Sequence, residues 1–181
     1  MFFRETKFKG VWLIEPKIFE DERGLFFESF SWREFKKNGI ADNFIQDNQS
    51  KSVRKGVLRG LHFQLPPYAQ AKLVRVIKGS VFDVIVDLRK KSETFGQWGN
   101  FNLSEKNRLM LYIPRGFAHG FLTMKENTEF LYKVDNGYVS QAEGGIIWND
   151  PELNIDWPIK DPVLSEKDKI LKNFSKQKLN F

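Results

Sequence analysis

Eight short stretches, each apolar or alternating and each closed by Gly, Pro, Asn or Asp, limit what this chain can become: VWLIEP (11–16), LFFESF (25–30), VLRGLHFQL (57–65), KLVRVI (72–77), VFDVIVDL (81–88), LMLYIP (109–114), GFLTM (120–124) and TEFLYKV (128–134). Runs of this length between turn residues read as β-strands. Their spacing of roughly ten residues, with only two helical segments, points to an antiparallel sandwich or barrel rather than to alternating strands and helices. The first helix is predicted to start at Ser31, with Glu34 completing a capping box, and to stop at Asn38-Gly39. The second is predicted to start at Ser165, with Asp168 three residues on, and to run through Lys169, Ile170, Leu171 and Lys172 into a mobile basic tail. The expectation is one domain over 1–181, mainly β with a few short helices, in which 160–181 is helical and basic.

Charge narrows the class of partner. The net charge is +6, yet residues 61–159 carry 11 basic and 11 acidic side chains, so the excess comes from the two ends. A nucleic-acid reader would concentrate its Lys and Arg on one face, and none is expected here. The first residues, MFFRETKFKG, contain no uninterrupted apolar core, and no run elsewhere reaches the roughly 18 apolar residues of a membrane span, so the expectation is a soluble, cytoplasmic protein with no membrane partner. Without cysteine there is neither a disulfide framework nor a thiolate zinc site. The 18 Phe, 5 Trp and 4 Tyr fit a core, a planar ligand or a subunit interface.

Only two histidines are present, His62 in RGLHFQ (59–64) and His119 in IPRGFAHGF (113–121). Imidazole is the side chain that exchanges protons near neutral pH, which makes both candidates for acid–base work. They stand 57 positions apart with no His-x-His pairing, so no metal site is expected; neither a Gly-rich strand-to-helix turn nor a P-loop offers a nucleotide cofactor. Side chains two apart on a strand share a face. His62 and Gln64 therefore point one way, into a cavity, while Leu61 and Phe63 pack on the sheet. By the same alternation Lys72 shares a face with Val74 and Val76, Asp83 with Val81, Ile85 and Asp87, and Tyr132 with Phe130 and Val134. A polar group on an apolar face needs a hydrogen-bond partner or a function, and the ordinary alternatives are a satisfied core residue or an edge-strand side chain in water.

The motifs RGLHFQ, IPRGFAHGF, GIIWNDPELNIDWP (145–158) and PVLSEKD (162–168), in this order, resemble the dTDP-4-dehydrorhamnose 3,5-epimerase family of the RmlC type. DERGLFFESF (21–30), QDN (46–48), VIKGSVFDVIVDLRKKSETFG (76–96) and the interval from Tyr132 to Tyr138 agree, so the resemblance covers nearly the whole chain. It implies a cupin-like antiparallel jelly roll, a homodimer, and cofactor-independent conversion of dTDP-4-dehydro-6-deoxy-D-glucose to dTDP-4-dehydro-L-rhamnose, a step toward cell-surface polysaccharide.

By the same resemblance His62 is the base, Asp168 the carboxylate that orients it, Tyr132 the acid across the ring, and Lys72 the charge beside the enolate oxygen. Gln46, Asn48, Arg59, His119, Glu143 and Lys167 surround the nucleotide sugar, Tyr138 stacks on thymine, and Arg23, Phe26 and Glu28 reach across from the partner subunit. Strict alternation places Arg59 opposite His62, so its role calls for a bulge, which Gly60 permits. Asp168 is claimed twice, by the helix cap and by His62. Two other readings stay open: an epimerase of C3 or C5 alone, and a non-catalytic β-sandwich that binds a sugar nucleotide.

Overall fold

The computed structural model describes residues 1–40 and 42–181. Its strands are β1 (Phe2–Glu5), β2 (Trp12–Glu15), β3 (Phe19–Asp21), β4 (Gly24–Phe26), β5 (Gln46–Ser52), β6 (Leu58–Gln64), β7 (Lys72–Lys78), β8 (Ser80–Asp87), β9 (Trp98–Ser104), β10 (Met110–Ile113), β11 (Phe117–Thr123), β12 (Thr128–Val134) and β13 (Glu143–Gly145), with helices α1 (Trp32–Lys37) and α2 (Glu166–Lys169). They form a six-stranded sheet in the order β1-β2-β10-β7-β12-β5, a five-stranded sheet in the order β13-β6-β11-β8-β9, and a β3–β4 hairpin. All strand pairs in these sheets are antiparallel, and consecutive strands cross repeatedly from one sheet to the other, which is the expected jelly-roll architecture.

Three apolar layers follow from the pleat. Between the sheets lie Val74, Val76, Val81, Ile85, Phe121 and Phe130. On the outer face of the six-stranded sheet, Ile14, Leu73, Met110 and Tyr112 are covered by Phe35 of α1 and by Ile40. On the outer face of the five-stranded sheet, Leu61, Phe63, Val84 and Val86 are covered by Leu153, Trp157, Phe174 and Leu179. Central strands are thus buried on both faces, which is why β8 reads as a nearly unbroken apolar run. Five strands lie outside the eight predicted stretches: β3 of the hairpin, and β1, β5, β9 and β13, which are the four edges of the two sheets. An edge strand such as QDNQSKS is half solvated and carries little apolar signal.

Both helix predictions need correction. Ser31 does cap α1, but its side chain makes no capping bond, so the Ser31–Glu34 box is not formed. The second helix ends at Lys169 instead of continuing to Lys172. Leu171 docks against Gly145 and Lys172 bridges Ile146, which takes the backbone out of the helix and onto the sheet edge. The tail beyond is not a solvated helix: Phe174 and Leu179 are buried and Phe181 meets the ring of Phe63 at 6.1 Å. Burying Phe174 and Leu179, and partly burying Phe181, outweighs what a short helix offers, since helix nucleation is itself unfavourable.

One irregularity decides which side chains meet. His119 pairs with His62, but Phe121 pairs with Arg59, so Gly60 and Leu61 oppose Gly120 alone. This bulge brings Arg59 onto the face of His62. Gly60 has φ +120°, and a Cβ there would stand 2.6 Å from the Gly120 Cα and 2.8 Å from the His119 carbonyl oxygen. Backbone lies on both sides, so nothing can give way. Gly60→Ala is therefore expected to destabilise the fold by about 3 kcal/mol or more. Gly137→Ala, at a position with nothing within 4 Å of the new methyl, is expected to change it by less than about 0.5 kcal/mol. Urea unfolding of the two variants measures both.

Candidate active site

A cavity of about 390 Å³ opens at the end of the sandwich, lined by Arg59 and His62 from β6, Lys72 from β7, His119 and Phe121 from β11, Phe130 and Tyr132 from β12, and Lys167 and Asp168 from α2. Neighbouring strands bring these polar groups together: His119 lies beside His62, and Tyr132 lies opposite Val74, two residues from Lys72 on the same strand face. Four residues expected to carry the chemistry, His62, Lys72, Tyr132 and Asp168, thus share one cavity.

The His62 Nε2 and Asp168 Oδ1 atoms are 2.6 Å apart. The other oxygen of Asp168 accepts the Ser165 hydroxyl at 2.9 Å, and Ser165 Oγ in turn accepts the Asp168 backbone N–H at 3.1 Å. The two claims on this carboxylate are therefore met by different oxygens, and the cap helps to aim it. Burial alone would raise the Asp168 carboxyl, but His62, then Ser165 and the Lys167 charge, hold it below the usual carboxylate range. An ionised Asp168 accepts a hydrogen bond from Nε2–H of the imidazole, and in that tautomer the lone pair lies on Nδ1.

His119 is held differently. Its Nε2 lies 2.9 and 3.1 Å from the two oxygens of Asp83, and the pair is buried at the cavity wall. Burial pushes the His119 imidazole down and the Asp83 carboxyl up, each partly countered by the other. The His119 ring stacks at 6.1 Å on Phe130, which stacks at 4.1 Å on Phe121. Asp83 was legible as an inward polar group without a role; its partner is His119. Asp87, on the same face, is a satisfied core residue that accepts from Arg89, Ser92 and Thr94.

Burial lowers the Lys72 ammonium to about 8, with Asp83 and Glu143 opposing the shift. Burial also raises the Tyr132 phenol above its ordinary value, and the Arg59 charge only partly offsets this. Tyr132 therefore keeps its proton well above neutral pH. At the mouth, Glu143 accepts from Tyr138 at 2.7 Å and from Lys167 at 2.5 Å on a single oxygen. Gln64 departs from expectation: it does not line the cavity but donates to the Tyr68 and Gly137 carbonyls and accepts the Val139 N–H, so it braces the loop that presents Tyr138.

Other expected residues lie outside this cavity. Gln46 and Asn48 bond to one another at 2.8 Å on β5, Asn48 opposite Tyr132. Arg23 sits on the β3–β4 hairpin, where its guanidinium grips Asp21 through two nitrogens; Phe26 and Glu28 are exposed beside it. Among the described residues, no group of three or more His, Asp or Glu converges as a metal-ligand set.

Comparison with known proteins shows the family and the fold. Residues 5–176 match the family model described as dTDP-4-dehydrorhamnose 3,5-epimerase. The chain is 53% identical over 165 residues to the dTDP-4-dehydrorhamnose 3,5-epimerase of Shigella flexneri, with 91% of each chain covered. It superposes with a TM-score of 0.92 on the crystal structure of the epimerase from Bacillus anthracis with TDP and pyrophosphate bound, at 48% identity, covering 93% of this chain and 97% of that one. It also superposes at 0.92 on the Legionella pneumophila dTDP-6-deoxy-D-glucose-3,5-epimerase in complex with dTDP-4-keto-L-rhamnose, at 45% identity, covering 96% of this chain and 93% of that one. On these matches over nearly its whole length, the chain belongs to the dTDP-4-dehydrorhamnose 3,5-epimerase family.

Proposed function

We propose that this protein inverts C3 and C5 of dTDP-4-dehydro-6-deoxy-D-glucose, giving dTDP-4-dehydro-L-rhamnose, with its own side chains supplying the acid and the base. The observation that carries the reading is one cavity that holds an imidazole oriented by a carboxylate, a protonated phenol and a half-buried ammonium.

The chemistry follows from the C4 ketone, which acidifies the hydrogens on C3 and C5. Nδ1 of His62 takes the proton, the C–H electron pair moves into the ring, and the C4 oxygen becomes an enolate. Asp168 holds the imidazole in the tautomer that can accept and stabilises the imidazolium that forms. The Lys72 ammonium faces the growing negative charge in a site where water does not screen it. Tyr132 returns a proton to the opposite face of the carbon, and the electron pair of the enolate forms the new C–H bond as the ketone is restored. Exchange with solvent resets phenol and imidazole, so no electrons are gained or lost.

Recognition of the nucleotide rests on charge and stacking. Arg59 and Lys167 suit the diphosphate, His119 the sugar, and Tyr138, tied to Glu143, offers an exposed ring to the base. A second copy of the chain completes the site with Arg23, Phe26 and Glu28, while Gln46 and Asn48 contact the nucleotide from β5. This part of the reading is supported by the hairpin's apolar exposure, with Phe19 at 52% and Phe26 at 68%. A cytoplasmic site of action goes with it. Among the described residues no helix is long and apolar enough to cross a membrane.

Incubating the protein with the 4-keto sugar nucleotide in deuterated water and locating the label by NMR tests the reading. Label at both C3 and C5 is expected; label at one carbon identifies a single-carbon epimerase, and none identifies a binding protein. His62→Ala should slow exchange on the order of a thousand-fold with the fold intact. Tyr132→Phe is expected to retain proton loss but lose inversion at C5, because the returning proton is gone. Lys72 acts in its protonated form, so kcat/KM should fall as pH rises through about 8. In Lys72→Arg, whose guanidinium stays charged, that alkaline limb should disappear while the rate at pH 7 drops.

A further inference from the structure

The carboxylate that orients His62 sits on a helix that cannot hold itself in place. α2 has four residues, too few for a helix to persist in isolation. Besides its own bonds, Asp168 to His62 and Lys167 to Glu143, its position is imposed by the chain on either side. Upstream, Val163 donates to the Gly56 carbonyl at 2.7 Å and accepts from Leu58 at 3.0 Å, which ties the approach to α2 onto the start of β6. Downstream, Ile170 is exposed and unanchored, so the nearest fixation comes from Leu171 onward.

That downstream fixation includes bonds from the Ile147 N–H to the Lys172 carbonyl at 3.1 Å and from the Phe174 N–H to the Asp150 carboxylate at 2.7 Å, and one side chain joins it to the strand across from the base. Gln177 Nε2 donates to the Gly145 carbonyl at 2.8 Å, and also lies 3.2 Å from the carbonyls of Lys172 and Asn173. Gly145 is the residue opposite His62 in the β6–β13 pair. Its neighbour Ile146 spends both backbone groups on Leu61, at 3.2 and 2.9 Å, so the Gly145 carbonyl faces off the sheet edge. The Gln177 amide therefore grips the backbone across from the base with one hand and the segment leaving α2 with the other. Leu171 closes the same joint: a Cβ on Gly145 would lie 2.6 Å from its Cδ2.

The geometry points to Gln177 as a positioning residue for the His62–Asp168 pair, acting by fixing α2 against the strand that faces the base. It rests on the assignment of His62 as base and Asp168 as its orienting carboxylate. Removing the amide leaves the strand-borne lining in place and leaves Lys167, the diphosphate contact on α2, tethered to Glu143 at 2.5 Å, while Asp168 loses part of what fixes its distance from the imidazole. The effect belongs in kcat and not in KM.

The two histidines make the test direct, because the imidazole N–H region of a nitrogen-15 NMR spectrum holds only His62 and His119. In the wild type both Nε2–H signals are expected, each protected by its carboxylate. Gln177→Met, which keeps the length but removes the donor, should broaden or lose the His62 signal, leave the His119 signal, and lower kcat roughly ten- to a hundred-fold at unchanged KM. Gln177→Lys restores a donor and should recover both the signal and most of kcat. An intact His62 signal in Gln177→Met overturns the proposal. So does loss of both histidine signals, which would mark Gln177 as a support of the fold at large. The spectroscopic arm needs no substrate, so failure of the epimerase reading shows separately, as a wild-type protein with both signals and no deuterium uptake.

Discussion

Two glycine backbones in close approach decide the geometry of everything else. Where Gly60 meets Gly120, β6 and β11 come closer than any side chain allows, and the bulge that results turns Arg59 onto the face already occupied by His62. Without it, β6 would send its guanidinium and its imidazole to opposite sides of the sheet. The strand between them could then serve the core or the cavity, but not both. With it, Leu61 and Phe63 pack outward under the C-terminal segment while His62 and Arg59 face the cavity.

The cavity tolerates so many polar groups because nearly all are matched. His119 spends its proton on Asp83, His62 on Asp168, and Glu143 binds both Tyr138 and Lys167. Lys72 and Tyr132 are exceptions: among the described residues neither side chain makes a hydrogen bond, and Lys72 feels the charges of Asp83 and Glu143 without a contact ion pair to either. A cation kept partly dry without a dedicated partner is costly in the resting protein and well suited to meeting a negative charge that appears only during reaction.

Much of this was legible in the residues. Period-two alternation singled out His62, Lys72, Asp83 and Tyr132 because each is polar on an apolar face, and each faces the interior as expected. It failed at Gln64, whose bonds to Gly137 and Val139 of a distant loop have no local signature. It also missed β1, β5, β9 and β13, since a sheet edge is set by a partner strand far along the chain and not by its own composition. The Ser165 cap signal was sound, but the helix length was not, because the docking of Leu171 on Gly145 is a contact between residues 26 positions apart. Alternation could say that these polar groups turn inward; that they serve an epimerisation came from the motif resemblance and then from the matched relatives.

The bond between His62 and Asp168 spans 106 positions of chain. Contacts of such high sequence separation form late, because loop-closure entropy opposes them until the intervening sheets stand. During biosynthesis the base therefore emerges early and stays idle, and its carboxylate arrives only when the closing stretch of the chain has docked. A chain that has formed both sheets but has not docked α2 thus holds its base without the carboxylate that orients it, and full turnover depends on that docking.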